Sequence, residues 1–259
     1  MKKLALISSL AVLGVAALVV AKSTHTTPAQ KPVVAEDVMP METAHYAEST
    51  QPASVVELFT SQGCSSCPPA NNFAASLAKD NDKLVLTYGV TYWDYLGWKD
   101  TFGDPEFTAR QRSYGKALGA PNIYTPQLIL NGEVHSPRYS RDDVETQLLP
   151  ATKPEADISV SDGRLVIQSD ADTNSKLVIV SYKPGIQSVD VSHGENGGRT
   201  LEVANVVTQV MPKKWNGKVL ETDIQAKDGQ AYAALFHDPK SAAIKTCLLY
   251  TSPSPRDRG

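Results

Sequence analysis

Two cysteines separated by two residues, Cys64-Ser65-Ser66-Cys67, are the side chains of this sequence whose type and spacing could carry chemistry. A thiolate is a nucleophile and a soft metal ligand. Cysteines three positions apart on a helix lie within disulfide reach. At the start of a helix, unpaired backbone N–H groups and the positive end of the helix dipole favour thiolate over thiol. The sequence predicts Cys64 at that position as nucleophile and Cys67, one turn on, as resolving thiol. Thiol–disulfide exchange would then run through a mixed disulfide. The same pair has three other uses. It could be a structural cystine, as exported proteins commonly carry, or a Cu(I) site built on soft thiolates. Structural zinc needs four ligands, and His25, His45, His135, His193 and His237 are scattered rather than closely spaced. No metal and no cofactor is assigned.

The elements around the pair decide between these uses. Val55 to Thr60 is a β-branched and aromatic run typical of a buried strand, closed by Ser61-Gln62-Gly63. Pro68-Pro69 follows Cys67, and proline suits the first turn of a helix, here running through Phe73, Leu77 and Ala78. Leu84 to Val90 reads as a second strand, completing a βαβ unit with parallel pairing. An aromatic stretch, Tyr92 to Asp100, and a helix from Pro105 to Leu118 come next. Thr125-Pro126 leads into Gln127 to Leu130, then the turn pair Asn131-Gly132 and Glu133 to His135, a strong hairpin signal. Ser140 is placed to cap a short helix through Leu149. This βαβ…ββα order, with a helical insertion, is that of a thioredoxin-like fold.

In thioredoxin-like proteins a cis-proline beside the C-x-x-C helps to bind substrate backbone, and Thr125-Pro126 resembles it. Thr125, Pro126 and Trp93 are therefore the expected substrate-binding residues. Trp93, Tyr95 and Trp98 could rim the cysteines, but a core plug beneath the insertion is the commoner use of such a cluster. Asp94, Lys99 and Asp100 are expected as solvated charges, and His135 as a strand-end histidine.

From Pro154 the texture changes to short alternating runs, Ile158 to Val160, Arg164 to Ile167, Lys176 to Val180 and Thr200 to Val203, punctuated by Asp162-Gly163, Pro184-Gly185 and Gly197-Gly198. Such spacing predicts an all-β, sandwich-like region. The expected domains are thioredoxin-like over 54–150 and β-rich over 154–246. Before them, Lys2-Lys3 and the apolar run from Leu4 to Val20 read as a secretory leader over 1–21, with an uncleaved membrane anchor as the competing reading. Residues 22–53, rich in Thr, Pro, Ala, Lys and Glu, read as a flexible linker. Residues 247–259 resemble the translation of a sequencing adapter and are expected to lie outside the fold. The chain has three cysteines; setting Cys247 aside leaves the pair alone. The net charge is −3, and −6 without Lys2, Lys3 and the net +1 of Arg256, Asp257 and Arg258. An acidic chain with no basic stripe argues against nucleic acid as a partner. Nothing in the sequence sets an oligomeric state.

Several long motifs agree in order and spacing with one family. The stretch Val55 to Ala70, the run Tyr92 to Asp100, Arg110-Gln111-Arg112 and Tyr124-Thr125-Pro126-Gln127 are similar to the DUF1223 family. The resemblance implies a secreted bacterial protein with a thioredoxin-like fold, and it names no activity. Where the family tends to carry His and Asp before Tyr-Trp-Asp, this chain has Gly89-Val90-Thr91. The expected function is thiol–disulfide exchange on protein or peptide thiols in the periplasm or outside the cell, anchored to the inner membrane if the leader is retained. The alternative is a non-enzymatic periplasmic binding protein, for copper or a peptide, with the pair as ligand or staple.

Overall fold

A computed structural model describes residues 52, 54–120, 122–137, 139–148, 156–224 and 229–251. The expected leader, almost all of the expected linker and residues 252–259 lie outside this set.

β1 (Ser54–Thr60) is buried along its whole length, which its run of Val, Leu and Phe requires. It leads through the cysteine turn into α1 (Pro68–Leu77), which begins on the two prolines. The chain returns as β2 (Lys83–Gly89), parallel to β1 from Ser54↔Lys83 to Thr60↔Gly89. A 3-10 turn (Asp94–Leu96) precedes α2 (Pro105–Ala117). Asp104 caps α2, its carboxylate accepting from Glu106 N–H at 2.7 Å. β3 (Gln127–Leu130) pairs antiparallel with the other side of β1 and with β4 (Val134–Ser136). Ser140 caps α3 (Arg141–Gln147), two residues shorter than the expected run to Leu149. The βαβ…ββα order expected of the first region is therefore present.

The turn between β3 and β4 carries more than a change of direction. Asn131 and Gly132 both have positive φ, 46° and 67°. Asn131 Oδ1 accepts from Val55 N–H at 2.7 Å, and its carbonyl accepts from Ile244 N–H at 2.7 Å. Any Cβ at Gly132 would collide with the Ala242 carbonyl, so the position takes glycine on two counts. Gly89 is fixed by close approach, since a Cβ there would lie 2.7 Å from the Phe102 backbone.

Past residue 155 the elements of the described residues are all strands, as expected. β5 (Ala156–Ser161), β6 (Arg164–Ser169) and β9 (Val219–Asp223) form a three-stranded sheet in the order β5-β6-β9. β7 (Lys176–Val191) and β8 (Arg199–Lys214) are 16 residues each and make one long hairpin. β10 (Ala231–His237) and β11 (Ile244–Thr251) complete the set. The division expected between 150 and 154 is not an architectural boundary. Strands from both sides share one eight-stranded sheet, in the order β11-β10-β7-β8-β2-β1-β3-β4. The physical reason is the free edge of β2, which β8 meets at Thr87↔Val206. Cys247 to Thr251, expected outside the fold, run in β11 against β10. Ladder bonds come from the backbone, and a Cys-Leu-Leu-Tyr-Thr run meets the edge of β10 with residues that favour strands.

Alternation along the strands serves three cores. Val56 and Leu58 of β1 face Ala70, Ala74 and Leu77 of α1. Val55 and Phe59 point the other way, toward Tyr88, Phe107 and Tyr114 beside α2. In β10, Ala231, Ala233 and Leu235 join this second core, while Tyr232, Ala234 and Phe236 pack with Ile158, Leu165 and Ile167 of the small sheet. The expected sandwich is this packing of sheet on sheet.

Glu57 falls on the α2 face of β1 and is 0 % exposed. An isolated buried carboxylate would be prohibitive, so partners must meet it. Arg110 Nε donates to its Oε1 at 2.8 Å, and Tyr114 donates to its Oε2. Arg110 also donates to Tyr114 Oη at 3.0 Å and lies 3.5 Å from His237 Nε2. His237 Nδ1 donates to the Ala242 carbonyl at 2.7 Å, leaving Nε2 as the acceptor that faces Arg110. Burial, with the neighbouring Arg110 cation, pushes the His237 pKa down from 6.5 to about 4. The unfolded chain therefore takes up this proton first as pH falls, and native stability drops between about pH 6.5 and 4. At most about 3 kcal/mol rides on this group. Urea unfolding across that range should give a steeper pH dependence for wild type than for His237→Gln; parallel curves would show that His237 titrates as it does in the unfolded chain.

Candidate functional site

Cys64 and Cys67 form a disulfide with a Cα–Cα separation of 5.4 Å. Their place on the helix differs from the expected one. Cys67, not Cys64, is the N-cap of α1, and Cys64 sits in the turn before it. The prolines explain this: the helix starts at Pro68, and the carbonyl of Cys67 accepts from Ala70 and Asn71 N–H, both at 3.0 Å. The turn is held by Cys64 N–H to the Ser61 carbonyl and Cys67 N–H to the Cys64 carbonyl, each 3.2 Å. Cys64 is 1 % exposed and Cys67 0 %, whereas Ser65 and Ser66 face solvent.

Thr125-Pro126 is a cis peptide, as expected. The Thr125 carbonyl lies 3.8 Å from Cys64 Sγ, and Ser66 Oγ lies 3.3 Å from the same sulfur. Trp93 Nε1 donates to Thr125 Oγ1 at 2.7 Å, so the three residues expected to bind substrate are brought together with Cys64. Gln111 on α2 ties down the same segment, its Nε2 donating to the Tyr124 carbonyl and to Gln127 Oε1, both at 2.8 Å. Trp93 is a partial core plug as well, packed with Tyr92 against the second core. Tyr95 stacks on it at 6.4 Å and is 77 % exposed. The cluster therefore divides between core and rim.

Asp100 is not a solvated charge. It is buried and accepts from Gln62 N–H at 2.7 Å and Phe102 N–H at 2.9 Å. Burial raises its pKa, against those two hydrogen bonds. Gln62 is a second hub, its Oε1 accepting from Trp98 Nε1 at 2.8 Å and Thr101 N–H at 3.1 Å. His135, on β4, contacts Tyr124 Oη through Nδ1 at 3.1 Å and stands apart from the cysteine turn.

The residues that sequence reasoning missed come from the tip of the β7–β8 hairpin. Asn196, fully buried, donates from one amide nitrogen to the carbonyls of Gln62 at 2.9 Å and Cys64 at 2.8 Å. Glu195 accepts from Ser65 N–H at 2.9 Å, which lowers its pKa and keeps it ionised. Arg199 Nη1 donates to Asn196 Oδ1 at 3.1 Å, steering the amide nitrogen toward the turn. Sequence offered one signal: Glu195-Asn196 stands in a Gly-rich break between alternating runs, where a polar side chain is free to serve a distant partner. Among the described residues no cluster of three or more His, Cys, Asp or Glu could hold a metal ion.

The family model described as Protein of unknown function (DUF1223) matches residues 55–236. A crystal structure of a protein from Agrobacterium tumefaciens is similar at 28 % identity and a TM-score of 0.61, covering 78 % of this chain and 95 % of that one. HBP35 of Porphyromonas gingivalis shares the fold at 13 % identity and a TM-score of 0.51, with 78 % and 75 % covered. There is no significant match among curated proteins.

Asn196→Ala should leave the buried Gln62 carbonyl without a donor, and the Cys64 carbonyl with Cys67 N–H alone, and cost about 1–3 kcal/mol. Asn196→Asp, which keeps the shape and sets a carboxylate against those carbonyls, should cost no less. Urea unfolding of both variants measures this, and wild-type midpoints would show that the hairpin tip does not hold the turn.

Proposed function

We propose that this chain, which belongs to the DUF1223 family of proteins of unknown function, is an exported thiol–disulfide oxidoreductase acting on protein or peptide thiols through Cys64 and Cys67. The observation that carries this is the Cys64–Cys67 disulfide in the turn that opens α1, with the Thr125 carbonyl 3.8 Å from Cys64 Sγ. The βαβ…ββα order around the pair supports a thioredoxin-like reading of the core.

In the proposed exchange, the reduced Cys64 thiolate attacks one sulfur of a partner disulfide. A Cys64–partner bond forms and the partner's other sulfur leaves as thiolate. The Cys67 thiolate then attacks Cys64 Sγ: the Cys64–Cys67 bond forms, the Cys64–partner bond breaks, and the second partner sulfur leaves as thiolate. The partner is reduced by two electrons and the pair is oxidised; the reverse sequence oxidises a dithiol. Thr125, Pro126 and Trp93 line the approach to Cys64, and the leader over 1–21 takes the chain to the periplasm or beyond.

A second reading, a structural cystine, is favoured by the burial of both sulfurs. The reaction of the reduced pair with a thiol probe across pH, in wild type and in Cys67→Ala, separates the two. An exchange enzyme gives a Cys64 thiol pKa below the ordinary value of about 8.5 and a mixed disulfide trapped in the variant. An unactivated thiol that traps nothing leaves the cystine as a staple.

A further inference from the structure

The hairpin tip does more than hold the turn. Asn196 is pinned by two carbonyls of the cysteine turn and by Arg199, so the residue before it is delivered to a fixed place. That residue is Glu195, whose carboxylate rests on the N–H of Ser65, between the two cysteines. It is exposed, and no cationic side chain lies within ion-pair distance of it among the described residues. The other charges of the neighbourhood form no ion pair with it among the described residues. Arg199 donates from Nη1 to the neutral Asn196 amide, Asp100 is buried under Gln62, and Asp94 accepts from Asp100 N–H at 3.2 Å. Lys99 is exposed and makes no ion pair with Glu195, and the first turn of α1 carries no acidic residue. Glu195 is thus the charged side chain hydrogen-bonded to residues 64–67 among the described residues.

From this geometry we infer that Glu195 is a specificity determinant, which selects partners carrying positive charge beside the reacting sulfur and disfavours anionic ones. The inference rests on the exchange reading of the cysteine pair. Ser65 and Ser66 are the exposed part of the cysteine turn, and a charge beside a sulfur that reaches Cys64 across them comes close to the carboxylate on Ser65 N–H. At such range and at a wet surface, one fixed charge changes an encounter or transition-state energy by a modest factor, attractive for one sign and repulsive for the other. The ratio between oppositely charged partners therefore changes by about tenfold at low ionic strength.

The test uses the full chain, reduced with dithiothreitol and freed of it, mixed with three small disulfides. These are cystamine, which is cationic, 3,3′-dithiodipropionate, which is anionic, and 2-hydroxyethyl disulfide, which is neutral. Each is reduced to two thiols as the pair closes to its disulfide. Wild type should favour cystamine over the anionic probe by about tenfold more than free dithiothreitol does, and salt should shrink that margin. Glu195→Gln keeps an acceptor for Ser65 N–H and should erase the margin; Glu195→Lys should invert it. An unchanged ratio in Glu195→Gln overturns the inference, as does an equal loss with all three probes, which would mark Glu195 as a structural residue only. Failure of wild type to reduce any of the three would instead overturn the exchange reading itself.

Discussion

One buried amide holds the cysteine turn to the rest of the molecule. Asn196 Nδ2 reaches two backbone carbonyls, those of Gln62 and Cys64, on the segment that carries the disulfide. A turn of this kind has few local bonds, and carbonyls buried without donors would be costly. With Asn196 in place, the turn is set from three directions: by its own backbone, by Asp100 beneath Gln62 N–H and by the hairpin above. The face of Ser65 and Ser66 is what remains exposed to solvent.

A second constraint lies at the centre of the sheet. Glu57 brings a charge to a face of β1 that is otherwise apolar, and α2 answers it with Arg110 and Tyr114. Removing one partner of such a pair would strand the other in the core, a loss of about 3–5 kcal/mol. The next residue on α2, Gln111, holds Tyr124 and Gln127 on either side of Thr125-Pro126. A single helix, fixed by a buried ion pair at Arg110, thereby sets the segment that faces Cys64.

Much of this was legible in the sequence, because much of it is local. Apolar runs, the double proline, the Asn131-Gly132 turn and the Ser140 cap each act within a few residues, and the strands and helices fell where those signals lie. Thr125 and Pro126 are placed with the cysteines by their likeness to the thioredoxin cis-proline, and Trp93 by its place in an aromatic cluster that could rim them. Three features were not legible. The position of Cys64 one turn too early on the helix ignored that Pro68-Pro69 fixes the start of α1. The expected domain boundary treated alternating strands as self-sufficient, although alternation says nothing about which edge a strand will join. Asp100, Glu195 and Asn196 look like surface residues by type, and their roles exist only through contacts 38 to 134 residues away.

That last separation bears on how the molecule is made. Asn196 meets Gln62 across 134 residues, so the cysteine turn is finished by a segment synthesised long after it. While the nascent chain ends short of residue 196, the turn has its own backbone bonds and Asp100 but not the buried amide above it. Closure of so large a loop is slow relative to local folding. The last bonds to the cysteine turn are therefore made only when the hairpin arrives, after the local elements around the pair have had time to form.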